Sequence, residues 1–129
     1  MRLFYLVVLA CAALAAGCGG SDSGDGGGSA SAPGEDVYRQ YACASCHSLD
    51  GSEGTGPSFE GLAGSTVELE GGKTVTADAA YLKRSITDPD AEIVEGYAEG
   101  IMTASIDNFD LGSKPEDVDR LVEFIQSVK

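Results

Sequence analysis

The C-terminal part of the chain carries a one-sided apolar pattern. Beyond Ser113 the larger apolar side chains recur at helical spacing, at Val118, Leu121, Val122, Ile125 and Val128. Steps of three, one, three and three residues place these side chains on one face, so the pattern predicts an amphipathic helix packed on a core. Ser113 and Glu116 have the spacing of a capping box, and Pro115 suits a first helical turn. The predicted helix therefore begins near Ser113.

Three further elements are predicted upstream of this helix. Gly34 and Tyr38 lie four residues apart at the start of a first helix. Residues 77–86 favour another helix, which should end at Asp88 because the residue before a proline disfavours the helical conformation. Between these helices, the alternating stretch TVELEGGKTVTAD is typical of a small β-hairpin that turns at its two glycines.

The first 17 residues have the layout of an export signal. Arg2 precedes an uninterrupted run of apolar and small residues, 3–16, which is short for a membrane span. The run ends in Ala-Ala-Gly before Cys18, and this resembles the lipobox of bacterial lipoproteins, in which the cysteine is lipidated and becomes the new N-terminus. We therefore expect a lipoprotein signal peptide at 1–17 and lipidation of Cys18. An ordinary cleaved signal and an uncleaved anchor are the alternatives.

Composition divides the rest of the chain into two parts. Residues 18–34 are dominated by glycine and serine, which predicts a flexible tether. The other 95 residues, 35–129, suffice for one small domain with a thin core, which a large cofactor would help to fill. With 21 acidic and eight basic residues the net charge is −13, and loss of Arg2 with the signal would make it −14. Such acidity argues against nucleic acid binding through a basic surface.

The segment YACASCHSLDG brings together two thiols and the only histidine of the chain, at Cys43, Cys46 and His47. A closed structural zinc site needs four ligands, and a redox dithiol favours a strand-to-helix turn in a βαβ pattern that this chain lacks. C-x-x-C-H is the attachment signature of c-type haem, in which the thiols add to the porphyrin vinyl groups and the histidine becomes the proximal iron ligand. We therefore predict one covalently attached haem c.

A second iron ligand has to come from another residue type, because the chain has a single histidine. Apart from the initiator, the only methionine is Met102. Its surroundings, EGYAEGIMTAS, are rich in glycine and small residues, which predicts a loop that presents the side chain. A thioether opposite an imidazole raises the reduction potential of haem iron. Met102 is therefore the predicted distal ligand, with core packing as the alternative role.

The domain resembles a class I cytochrome c and is most similar to the cytochrome c domain fused to subunit II of some bacterial haem–copper oxidases. The matching segments are GEDVYRQYACASCHSLDG, GTGPSFEGLAG and YLKRSITDPDAEIVEGYAEGIM. The resemblance implies an all-α fold class, a small cytochrome c fold with three to five helices around one covalent haem and a short β-hairpin insertion. It also implies Cys43 and Cys46 as thioether anchors, His47 and Met102 as axial ligands, and Pro57 as the carbonyl acceptor for the second ring N–H of His47.

The same resemblance implies that the first and last helices cross, where Gly34 and Tyr38 would meet Leu121 and Phe124. Where family members usually have proline after the distal methionine, this chain has Thr103, so a more mobile distal segment is expected. Six apolar side chains are expected to line the haem pocket: Phe59, Leu62, Leu82, Ile86, Tyr97 and Ile101.

The expected function is that of a monohaem c-type cytochrome, not an enzyme, that carries single electrons at the outer face of the cytoplasmic membrane or in the periplasm. It would serve a respiratory chain towards a terminal oxidase. Its expected partners are the membrane, through the lipid anchor, and redox proteins with a basic docking surface, such as a respiratory complex or terminal oxidase. A haem-based gas sensor or weak peroxidase with a labile distal methionine is the alternative. A subunit held in a larger respiratory complex also stays open.

Overall fold

A computed structural model describes residues 31–129. Within them lie four α-helices: α1 (Glu35–Gln40), α2 (Ala79–Thr87), α3 (Ile101–Phe109) and α4 (Pro115–Ser127). The strands β1 (Thr66–Glu68) and β2 (Thr74–Thr76) precede α2, and short 3₁₀ turns lie at Cys43–Ser45, Pro89–Ala91 and Leu111–Ser113. None of the helices described in 31–129 has the length and apolar character needed to cross a bilayer. The predicted signal peptide, Cys18 and the tether up to residue 30 lie outside the described residues.

The apolar face of α4 forms one wall of the core, as its periodicity predicts. Five of its side chains are buried: Val118, Leu121, Val122, Phe124 and Ile125. The helix begins two residues after Ser113, at Pro115, which lies in its first turn as predicted. The predicted capping box is wrong, because the N-cap is Lys114, which makes no side-chain cap bond. The ring of Pro115 keeps Lys114 out of the helical conformation, so Ser113 belongs to the preceding 3₁₀ turn and its hydroxyl donates to Asp110 Oδ2 at 2.6 Å.

The first and last helices cross in close contact, as expected. Gly34 adopts a left-handed conformation, with φ at +85°, directly before α1. A Cβ atom at this position would lie 2.1 Å from the backbone oxygen of Arg120 in α4, so only glycine allows the approach. Beside this contact the rings of Tyr38 and Phe124 pack with their centroids 5.3 Å apart. Leu121 is buried in the same core cluster.

The predicted hairpin is present, and it packs its inner face on the core. Strands β1 and β2 pair antiparallel with Val67 opposite Val75, and Val67 is buried. The helix predicted at 77–86 begins two residues later, at Ala79, because the Asp78 side chain accepts the backbone N–H of Tyr81 and caps the helix there. It ends at Thr87, next to the Asp88-Pro89 stop.

The loop predicted around Met102 is wrong, because Met102 is the second residue of α3. The glycines of this segment precede the helix: Gly96 and Gly100 both have positive φ, and Gly100 is the N-cap. From Ile101 to Phe109 the chain contains neither glycine nor proline, so nothing in its composition interrupts the helix.

Candidate functional site

The predicted site residues line one apolar cleft. It encloses about 1270 Å³ of space, counting the part open to solvent. Cys43, Cys46, His47, Pro57 and Met102 all line it. The six apolar side chains expected in the pocket also line it: Phe59, Leu62, Leu82, Ile86, Tyr97 and Ile101. Segments far apart in sequence therefore meet at one site with apolar walls.

The two cysteines are presented by a tight turn at the edge of this cleft. Ala42 has a left-handed conformation, with φ at +54°, and the 3₁₀ turn Cys43–Ser45 follows it. The N–H groups of Cys46 and His47 both donate to the carbonyl of Cys43, at 3.1 and 2.9 Å, so the C-x-x-C-H segment closes on itself. Both thiols are free. Burial raises the pKa of the Cys43 thiol to about 11, so this group is protonated at neutral pH before any attachment.

The His47 ring is held in one orientation with one nitrogen available. Its Nδ1 lies 2.8 Å from the carbonyl oxygen of Pro57, which can only accept, so Nδ1 carries the proton and donates. Burial lowers the pKa of His47 and outweighs the opposing effect of the Pro57 hydrogen bond, so the imidazole is neutral. A neutral ring with Nδ1 engaged leaves the lone pair on Nε2 for a metal ion. The contact that the resemblance implied for Pro57 is present in the structure.

Three contacts of His47, two with its ring and one with its backbone, were not predicted from the sequence. Phe59 stacks on the imidazole, with centroids 4.6 Å apart and planes 18° apart. The Tyr38 hydroxyl donates to the His47 carbonyl at 2.5 Å. Gly56 passes so close that an added Cβ would lie 2.4 Å from the ring Cε1. The Gly-Pro sequence at 56–57 was the available signal for this close approach of the backbone.

A Gly56→Ala substitution is expected to push the imidazole away from Pro57. The methyl group has no room between the backbone and the ring, so the bond from Nδ1 to Pro57 should lengthen or break. We expect a lower thermal midpoint and a changed reduction potential of the holoprotein, measured by calorimetry and by redox titration. Gly112→Ala is the matched control, because nothing lies within 4 Å of its added Cβ. Equal behaviour of the two variants would contradict the proposed fit around His47.

Met102 comes to the same cleft from another element. It lies in the first turn of α3, is partly buried and packs against the core cluster. The described residues thus offer a neutral imidazole, a thioether and two free thiols three positions apart, between apolar walls. These are the donors and the environment that a covalently attached porphyrin iron requires, so the residues fit this group.

Comparison with known families agrees with the fold and the site. A family model described as cytochrome c matches residues 31–129, and the chain belongs to the cytochrome c family. The four helices and the two-stranded antiparallel sheet found in residues 31–129 are consistent with the small cytochrome c fold. Membership implies haem-based electron transfer and covalently attached haem c, and the C-x-x-C-H segment is compatible with that attachment. A search of curated proteins finds no match to the chain.

Proposed function

We propose that the protein is a monohaem c-type cytochrome that carries single electrons at the outer face of the cytoplasmic membrane, in a respiratory chain towards a terminal oxidase. Cys43 and Cys46 are the thioether anchors, His47 and Met102 the axial ligands, and Pro57 orients the proximal ring. One observation carries the proposal: an imidazole with a free Nε2 and a thioether border the same apolar cleft. When bound, haem supplies a ferric–ferrous couple that holds one electron.

The residues around the cleft influence the reduction potential of that couple. Pro57 accepts from Nδ1 of His47 and raises the basicity of Nε2. Met102 supplies a neutral sulfur ligand, which raises the potential. The buried side chains of Phe59, Leu82 and Ile86 exclude water from the site, so the charge on the iron is weakly solvated there. With His47 and Met102 both bound to it, the iron would have no position left for a substrate, so none of these residues would act as a catalyst.

The competing function is a haem-based gas sensor or weak peroxidase. One observation favours it: Gly96 and Gly100, both with positive φ, precede the helix that carries Met102. Glycines give the backbone before this helix more conformational freedom, which favours local opening of the segment. In this function Met102 would not hold the iron, and an external molecule would bind in its place.

The ferric absorption spectrum decides between the two functions. We expect a low-spin spectrum with the near-infrared methionine-to-iron charge-transfer band for the natural chain. Met102→Ala should lose this band and bind carbon monoxide rapidly in the ferrous state. Ile106→Ala, a partly buried position of the same helix, is the control and should keep the band. A high-spin natural protein that binds carbon monoxide as fast as Met102→Ala would favour the sensor or peroxidase.

Membrane attachment through Cys18 is part of the proposal. It is supported by the apolar run that ends in small residues before Cys18. Cys18→Ser should abolish incorporation of labelled fatty acid and leave the protein soluble or held by an uncleaved signal. Cys11→Ser is the control, since Cys11 lies inside the predicted signal and its replacement should not change the labelling. Continued labelling of the Cys18→Ser protein would show that another residue carries the lipid.

The charge of the domain supports a partner with a basic docking surface. Residues 31–129 hold 19 acidic and seven basic residues. Five of the seven cations are already paired within the described residues: Arg39, Lys73, Lys83, Arg84 and Arg120. Most carboxylates are therefore left without an ion-pair partner in this part of the chain. A negative field of this kind steers a positively charged partner and raises the association rate.

Steering by charge predicts a salt-dependent electron transfer rate. The ferrous form without its lipid anchor should reduce a terminal oxidase more slowly as salt rises, because the Debye length falls from about 10 Å at 0.1 M to about 3 Å at 1 M. The lipidated form should lose less, because its confinement near the membrane is not screened. Stopped-flow oxidation measures both rates, with an uncharged quinone as the control oxidant. A rate for the soluble form that stays flat or increases would show that the acidity serves solubility.

A further inference from the structure

The helix that carries Met102 has no N-terminal cap of its own. Its N-cap residue is Gly100, which has no side chain to accept a backbone N–H. Its first turn contains no acidic residue. The first turn of a helix leaves N–H groups unpaired and carries a partial positive charge, so it is stabilised by an acceptor, best of all an anionic one.

Asp90 supplies that acceptor from ten residues upstream. Its Oδ1 accepts the backbone N–H of Gly100 at 2.8 Å, and its Oδ2 accepts the hydroxyl of Thr103 at 2.7 Å. One carboxylate therefore joins the N-cap residue and the third residue of α3. It accepts the N–H of the N-cap residue, as the third-position side chain of a capping box does, although it belongs to another element.

The carboxylate of Asp90 is itself held in place. It lies on the 3₁₀ turn Pro89–Ala91, which packs against both α2 and α3. Pro89 restricts the backbone at the start of the turn, and the N–H of Ala91 donates to the Asp88 carbonyl at 3.1 Å. The hydrogen bonds from Thr103 first, and then from Gly100, lower the pKa of Asp90, so it accepts as an anion at neutral pH.

Met102 lies between the two residues that Asp90 holds. We infer that Asp90 is a positioning residue for the distal ligand: by fixing Gly100 and Thr103, it holds the first turn of α3 where the Met102 thioether reaches the iron. The inference rests on the proposed function, in which Met102 is that ligand. Thr103, where family members usually have proline, thus has a defined task here: its hydroxyl joins the turn to the rest of the fold.

Three substitutions test the contact at its two ends. Asp90→Ala removes both hydrogen bonds. Thr103→Val removes only the hydroxyl and keeps the side-chain volume, whereas Thr103→Ser keeps a hydroxyl and should restore the natural behaviour. Asp107→Asn is the matched control, because it removes one negative charge from an exposed position of the same helix, away from its first turn.

The readout is carbon monoxide binding to the ferrous holoprotein, together with the ferric near-infrared band. The binding rate reports how often Met102 leaves the iron. Loss of a hydrogen bond of ordinary net strength should raise the methionine-free population, and with it this rate, by about three- to tenfold. We expect this for Asp90→Ala and Thr103→Val, with a weaker ferric band, and no change for Thr103→Ser and Asp107→Asn.

Other outcomes separate the inference from the proposed function. If Asp90→Ala and Thr103→Val lower the unfolding midpoint but bind carbon monoxide at the natural rate, the contact is only structural and the inference is wrong. If Asp90→Ala does not acquire haem, the carbon monoxide binding rates of Thr103→Val and Thr103→Ser are compared instead. Equal rates for these two variants would likewise show that the inference is wrong. A natural protein without the near-infrared band would overturn the proposed methionine ligation itself, and the inference with it.

Discussion

A chain in which Cys43 and Cys46 are both replaced by alanine is expected to carry no covalent haem. They are the cysteines of the described residues, and both line the cleft, so no other thiol there can form a thioether. Without the cofactor the apolar walls of the cleft would face water, and a domain of this size has little other core to compensate. We therefore expect loss of the native fold as well as of the attachment.

A denaturing gel stained for haem peroxidase activity measures the attachment, with an immunoblot to confirm that equal chain is loaded. Cys18→Ser is the control for loss of a cysteine as such, and its band should stay haem-positive. Far-ultraviolet circular dichroism of the double variant reports on the fold. A haem-positive band from the chain without Cys43 and Cys46 would contradict the proposed attachment.

The second large effect is expected from Gly34→Ala at the crossing of α1 and α4. The new methyl group would lie 2.1 Å from the backbone oxygen of Arg120, in the middle of a helix that cannot shift cheaply. The left-handed conformation at position 34 adds roughly 1–2 kcal/mol of strain for a residue with a Cβ atom. Together we expect a loss of about 3–5 kcal/mol in the free energy of unfolding.

Gly71→Ala separates the strain from the clash. Gly71 has a similar φ, +82°, but nothing lies within 4 Å of its added Cβ. The free energy of unfolding of Gly71→Ala should therefore fall only by the cost of the left-handed conformation. Denaturant unfolding of the two holoproteins gives the comparison. If both variants lose the same stability, the close helix crossing does not contribute as the structure indicates.

Local sequence patterns predicted the elements and candidate site residues that depend on near neighbours. The apolar stripe of α4 needed only the helical period, and the pair of thiols with His47 needed only the C-x-x-C-H spacing. The stop of α2 at Asp88 followed from the proline after it. These features are determined within a few residues, so the sequence shows them directly.

The features that were predicted wrongly depend on contacts between residues far apart in sequence, or on competition between neighbouring residues that favour different conformations. The helix at Ile101–Phe109 was missed because glycines just before it gave the whole segment the composition of a loop. Its capping partner, Asp90, lies ten residues away, where no capping pattern extends. At α4, Ser113 has the spacing of a capping box, but Pro115 determines where the helix begins.

The surroundings of His47 show the same limit. The Pro57 contact was expected only through the family resemblance, not from spacing. Phe59 and Gly56 reach the imidazole because the chain turns back after the C-x-x-C-H segment, with the Phe59 N–H bonded to the Ser48 carbonyl at 2.9 Å. A contact made by chain reversal has no periodic signal in the sequence, so only the fold shows it.

A potentiometric titration of the purified holoprotein, run under argon and again under carbon monoxide, tests the central claim most directly. A single-electron carrier whose iron is held by His47 and Met102 should follow a one-electron curve, about 59 mV per tenfold change in the ratio of the two states, and carbon monoxide should raise its midpoint far less than that of Met102→Ala. If the ferrous iron has an open or easily opened position, carbon monoxide will bind the reduced state and raise the midpoint by linkage. A rise well below that of Met102→Ala supports electron transfer through an iron held by His47 and Met102, and a rise equal to that of Met102→Ala contradicts it.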